Sequence, residues 1–183
     1  MATKEKVLII IDGNNFYFKI KTLGVKKHKS TEFDYRGFAK WLAQGRKIIG
    51  RNYYVGVVRA KPGDTKGQTM RKKQQQLFAH LTSKSQKYNV IRGYLMNSRG
   101  SYHEKGVDVR MAVDLIVGSY EDKFDNAILV SSDTDLIPAL KHIRKQGKKV
   151  EYIGFSNKPS FALQKEADLS RLLIKTDIEQ FIS

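Results

Sequence analysis

A chain of 183 residues with 40% apolar content is long enough to bury a core of its own, and no apolar run approaches the roughly 20 residues that cross a bilayer. The absence of cysteine excludes disulfides, thiolate metal sites and cysteine nucleophiles. The net charge of +16 comes mostly from the middle: residues 36–103 hold fifteen Lys and Arg against one acid, Asp64, whereas residues 1–35 carry +3 and residues 104–183 carry −1. Such a polycation points to a polyanionic partner, most often nucleic acid, with plain solubility as the alternative. The apolar stretch after Lys6 is only five residues long and stops at Asp12, too short for a secretion leader, so a cytoplasmic protein is expected.

In chain order, Val7 to Ile11 is aliphatic with no alternation, the signature of a strand buried on both faces. It ends in Asp12, Gly13, Asn14 and Asn15, all turn formers. A helix follows from Asn15 to about Leu23, with Phe16, Ile20 and Leu23 on one face. A second helix is expected in "DYRGFAKWLAQ", a second strand in "YYVGVVRA", and a long helix from Asp64 or Thr65 whose stripe is Met70, Leu77, Phe78 and Leu81. "NVIRGYLM" predicts a third strand and "NSRGSYHEKG" a polar, mobile loop. "VDVRMAVDLIVGSY" predicts a helix with Val109, Ala112, Val113 and Ile116 inward. "NAILVSSD" is a fourth strand, "TDLIPALKHIRKQG" a helix closed by Gly147, and "KVEYIGF" a fifth strand. The tail predicts one or two short helices, or a helix and an edge strand.

Strands alternating with helices imply an α/β fold, a three-layer sandwich on a mainly parallel, roughly five-stranded sheet. No linker, repeat or low-complexity segment divides the chain. One domain over 1–183 is expected, with its core over about 5–155 and a C-terminal helical extension over 156–183.

The first strand ends in Asp12, and the fourth runs into Asp133 and Asp135. Asp108 falls in the first turn of a helix, and all four belong at the carboxyl edge of the sheet, where ligands bind in open α/β folds. Converging carboxylates raise one another's pKa unless a cation neutralises them. Oxygen ligands without His or Cys select hard cations, Mg²⁺ or Mn²⁺. The chemistry such a site supports is phosphodiester hydrolysis, with one metal or with two held roughly 3.5–4 Å apart. Each acid also has a structural alternative: an Asx turn for Asp12, and helix caps for Asp133 and Asp108. Asp114 lies about 120° around the helix from Asp108 and is either an additional ligand or salt-bridged. Asn15 either orients Asp12 or a water, or caps its helix.

Three blocks, "IDGNN", "EKGVDVRMAVDLI" and "DNAILVSSDTDLIPALKHIRKQGKKV", occur in order and resemble the NYN domain family of the PIN-like nuclease superfamily. The resemblance covers about residues 5–155. It implies a Rossmann-like three-layer α/β/α sandwich and metal-dependent ribonuclease activity with Asp12, Asn15, Asp108, Asp133 and Asp135 as the catalytic set. Two positions depart from the family pattern: Ser132 stands where Gly is common, and Leu136 where Phe is frequent. Neither removes a ligand.

For the nucleic acid, Lys19, Lys21, Lys26, Lys27 and Lys29 and the run Arg71, Lys72 and Lys73 are expected to hold the backbone, joined by Arg99 and Lys105 of the polar loop. His103 is either a phosphate contact or a solvated loop residue, and Tyr102 is the expected base-stacking ring. No GxGxxG or Walker pattern supports nucleotide binding, and the four histidines lack metal-ligand spacing. The competing class is a non-cleaving RNA- or DNA-binding regulatory module that keeps an acidic pocket. DNA as substrate would leave the chemistry unchanged. The oligomeric state is open, a homodimer included.

Overall fold

The computed structural model describes residues 4–25, 29–60, 62–98 and 101–182. Its strands are β1 (Lys6–Asp12), β2 (Lys47–Val57), β3 (Asn89–Ser98), β4 (Ser101–Lys105), β5 (Asn126–Val130), β6 (Lys149–Phe155) and β7 (Leu169–Leu173). They form one sheet in the order β4-β3-β2-β1-β5-β6-β7. Every neighbouring pair is parallel except β3 with β4. The helices are α1 (Gly13–Thr22), α2 (Tyr35–Ala43), α3 (Thr65–Thr82), α4 (Val107–Tyr120), α5 (Ile137–Lys145), α6 (Phe161–Glu166) and α7 (Lys175–Glu179).

The expected sandwich is present, because the central strands are apolar on both faces and need cover on each. One face of the sheet packs against α1, α2, α3 and α7 through Phe16, Ile20, Phe38, Phe78, Leu81 and Ile178. The other packs against α4, α5 and α6 through Met111, Leu115, Leu140, Ile143 and Leu163. Val7, Ile9 and Ile11 point to the first layer and Leu8 and Ile10 to the second, so one strand serves both.

Three features differ from the sequence expectation. The sheet has seven strands rather than about five. β2 begins at Lys47, six residues before the predicted run, where a bulge leaves Ile49 without a partner in β1. The Asn97–Gly106 stretch is mostly strand: β3 continues to Ser98 and pairs antiparallel with β4. The stretch can be polar because β4 is the sheet's edge strand. The C-terminal segment takes the second of its two expected forms, an edge strand, β7, beside the short helices α6 and α7.

Helix α4 also turns differently. Val107, Met111, Leu115 and Gly118 are buried, whereas Val109, Val113 and Val117 are exposed. Ala112 and Ile116 pack at the margin of the core. The helix is apolar on two sides, so spacing alone fits either, and the side with the larger Met111 and Leu115 is the one packed against the sheet.

Candidate active site

β1 and β5 are adjacent, and the chain leaves β1 toward β2 on one side and β5 toward β6 on the other. This reversal opens a crevice outside their carboxyl ends. Asp12 closes β1 and caps α1. One of its carboxylate oxygens, Oδ1, accepts the Asn15 backbone N–H at 3.0 Å; the other, Oδ2, accepts the Ser131 hydroxyl at 2.9 Å. Gly13 lets α1 start so close to β2: a Cβ there would meet the Tyr53 ring at 2.3 Å and the Tyr54 carbonyl at 2.8 Å.

Ser131 is fully buried just beyond β5, and its Oγ accepts the Asp133 backbone N–H at 3.1 Å. Asp133 Oδ1 in turn accepts the Asp135 N–H at 3.0 Å and caps the 3₁₀ turn Thr134–Leu136. The chain Asp12–Ser131–Asp133 thus ties the two strand ends together. Burial pushes the Asp12 carboxyl above its ordinary value and the nearby Asp133 charge adds to this, against the pull of the Asn15 and Ser131 hydrogen bonds.

Asp108 reaches the same place from α4. It is half-buried in the first turn, forms no side-chain cap, and has no hydrogen bond or ion pair among the described residues. Asp12, Asp108 and Asp133, with Val107 and Met111, line one cavity of about 180 Å³. Three segments far apart in sequence therefore deliver one carboxylate each. Among the described residues, no three of them form a ready-made metal cluster. The Asn15 side-chain oxygen, Oδ1, is buried and unpartnered.

The remaining predicted residues lie elsewhere. Asp135 is exposed and does not line the cavity. Asp114 accepts the Tyr54 hydroxyl at 2.9 Å and pairs with Arg110 at 3.0 Å, so it is salt-bridged outside the cavity lining. Lys21 and the run Arg71, Lys72 and Lys73 are exposed, on α1 and α3. Lys19 donates to the Lys158 carbonyl at 2.6 Å, and Lys29 pairs with Glu32 at 3.6 Å. Lys26, Lys27 and Arg99, and the side chains of Tyr102, His103 and Lys105, lie outside the described residues.

Sequence reasoning passed over Ser131, which bridges two of the acids. The available signal was a hydroxyl residue directly after the apolar run Ala127–Val130, two positions before a carboxylate.

The sequence model of the NYN domain matches residues 6–173. An uncharacterized protein of Methanocaldococcus jannaschii is 40% identical over 62 residues, covering 34% of this chain and 26% of that protein, so the chain spans about a quarter of the relative's length. The crystal structure of a protein of unknown function from Vibrio parahaemolyticus superposes with a TM-score of 0.66 at 22% identity, over 97% of this chain and 98% of that one. At that identity the likeness is one of fold.

Proposed function

Since the chain belongs to the NYN domain family, whose members are PIN-like and nuclease-like, we propose that it is a metal-dependent ribonuclease that cuts RNA endonucleolytically. The observation that carries this reading is the single cavity shared by Asp12, Asp108 and Asp133 at the switch point of the sheet.

The donor set fits a hard cation. The oxygens come from carboxylates and an amide, Asp12 is buried beside a second negative charge, and the buried Asn15 Oδ1 lacks a partner. Mg²⁺ keeps several waters and needs only one or two direct carboxylates, so separated acids around a cavity suit it better than a closed cage would. Asp12, Asp108 and Asp133 would hold the ion, with Asp135 at the exposed rim and Asn15 positioning water. When bound, Mg²⁺ or Mn²⁺ supplies an activated water and neutralises charge at the leaving oxygen. The chain's own part is to fix the Asp12 carboxylate and the Asp133 backbone through Ser131 and to hold the phosphate backbone with cations such as Lys21, Arg71, Lys72 and Lys73.

A second reading, a non-cleaving nucleic-acid-binding module, is favoured by the lack of a preassembled three-acid cluster among the described residues. Incubating labelled single-stranded RNA and matched DNA with the protein in Mg²⁺, Mn²⁺ or EDTA separates the two. Internal cuts in RNA that need metal are expected. Tight, salt-sensitive binding without cutting in any metal would favour the module.

A further inference from the structure

Helix α1 carries two large rings that its own packing does not use. The helix buries Gly13, Phe16 and Ile20 against the sheet. Tyr17 and Phe18 stay 53% and 58% exposed, and among the described residues each ring's one aromatic contact is the other, edge-on with centroids 5.5 Å apart. Leaving this much aromatic surface in water calls for an occupant.

Two observations say what kind. The rings lie on the helix that Asp12 caps, so Phe18 stands only about 9 Å along the axis from that carboxylate, at 1.5 Å per residue. The helices of this layer are also mostly basic: α1, α2 and α3 together contain eight Lys and Arg and no acid, and the short α7 adds one Lys and two acids, whereas α4, α5 and α6 on the opposite face contain five and three. A protein partner would meet a field that selects for strong negative charge. A polynucleotide supplies that charge and, beside it, flat rings that stack on aromatic side chains.

We infer that Tyr17 and Phe18 form a stacking platform for unpaired bases of the RNA held at the Asp12 cavity, so that the substrate is single-stranded next to the cut. The inference rests on the reading of the chain as acting on RNA. In a duplex the base faces are already stacked on one another and an edge-on ring pair gains nothing from them. The platform also orders the site: bases rest over the start of α1 while the neighbouring phosphate lies at the carboxylates.

The test is binding in EDTA, which needs no cleavage. Fluorescence anisotropy would compare a single-stranded oligoribonucleotide, an abasic strand of the same length and an RNA duplex, against wild type, Tyr17→Leu, Phe18→Leu, the double variant and Tyr17→Phe. Leucine keeps an apolar exposed side chain but removes the ring. Each leucine variant should weaken single-strand binding at least about fivefold. The abasic strand and duplex should be unaffected, the salt slope should be unchanged, and Tyr17→Phe should bind like wild type. In the wild type, 2-aminopurine in the strand should lose fluorescence on binding. Equal affinity of wild type and double variant for the single strand, or equal losses on intact and abasic strands, would overturn the platform. So would unchanged 2-aminopurine fluorescence in the bound state. Absence of cleavage would count against the nuclease reading alone, because none of these measurements depends on it.

Discussion

Replacing Ser131 with alanine deletes one hydroxyl that makes two hydrogen bonds at once. It donates to Asp12 Oδ2 at 2.9 Å and accepts the Asp133 N–H at 3.1 Å, in a fully buried position. A hydrogen bond to a charged group contributes about 1.5–3 kcal/mol, and the Asp133 N–H is left without its acceptor, so Ser131→Ala should cost about 2–3 kcal/mol. For a domain of this size that is a fall in Tm of roughly 4–12 °C. The loss should depend on pH. The Asp12 carboxyl already sits above its ordinary value, mainly through burial, and the Ser131 hydroxyl is one of the groups pulling it down. A raised carboxyl pKa means the folded state binds the proton more tightly, so stability falls as pH rises from the unfolded value through the folded one. Removing the hydroxyl raises the folded value further and deepens that fall. Denaturant melts in EDTA at pH 4 and pH 7.5 should therefore show a larger deficit at pH 7.5. An unchanged Tm, or equal deficits at both pH values, would refute the bridge between the strand ends.

At the amino-terminal edge of the sheet, Glu151 is 5% exposed and receives hydrogen bonds from Arg46, Asn126 and Arg171. Burial pushes its carboxyl up, but these partners outweigh it and hold the pKa below its ordinary value. A depressed pKa gives stability above the unfolded value that is lost as pH falls through the folded one. Glu151→Gln should therefore flatten the acid limb of the stability curve while costing about 3–5 kcal/mol at pH 7; a variant with an unchanged acid limb would contradict this. Gly13→Ala should cost at least about 1–3 kcal/mol by overpacking against Tyr53 and the Tyr54 carbonyl, read by denaturant melts. Replacing Arg71, Lys72 and Lys73 with alanine should lower the salt slope of single-strand binding by about 0.7 for each phosphate that is no longer neutralised.

The central strands and the acids at their tips were legible because their signals are local: an aliphatic run without alternation has to be buried on both faces, and a carboxylate at its end has to lie at the sheet's edge. The face of α4 was not, since two apolar stripes satisfy the helical period and only the tertiary packing of Met111 and Leu115 distinguishes them. The β3–β4 hairpin was hidden because edge strands need no apolar pattern. Asp12 and Asp133 each cap an element with one oxygen and also line the cavity. Asp114 has an i,i+4 partner in Arg110 that the sequence offers, but its contact with Tyr54, 60 residues away, lies outside any sequence window.

Asp108 gives the most direct test of the central claim, because it lines the cavity with no structural partner among the described residues. Asp108→Asn gives up only a charge at a helix N-terminus, no more than about 1 kcal/mol. Its thermal melt and its RNA cleavage in Mn²⁺ should be measured side by side with wild type. The account predicts a nearly unchanged melt with cleavage reduced to background. Cleavage by Asp108→Asn at the wild-type rate would contradict it and place any catalytic centre elsewhere.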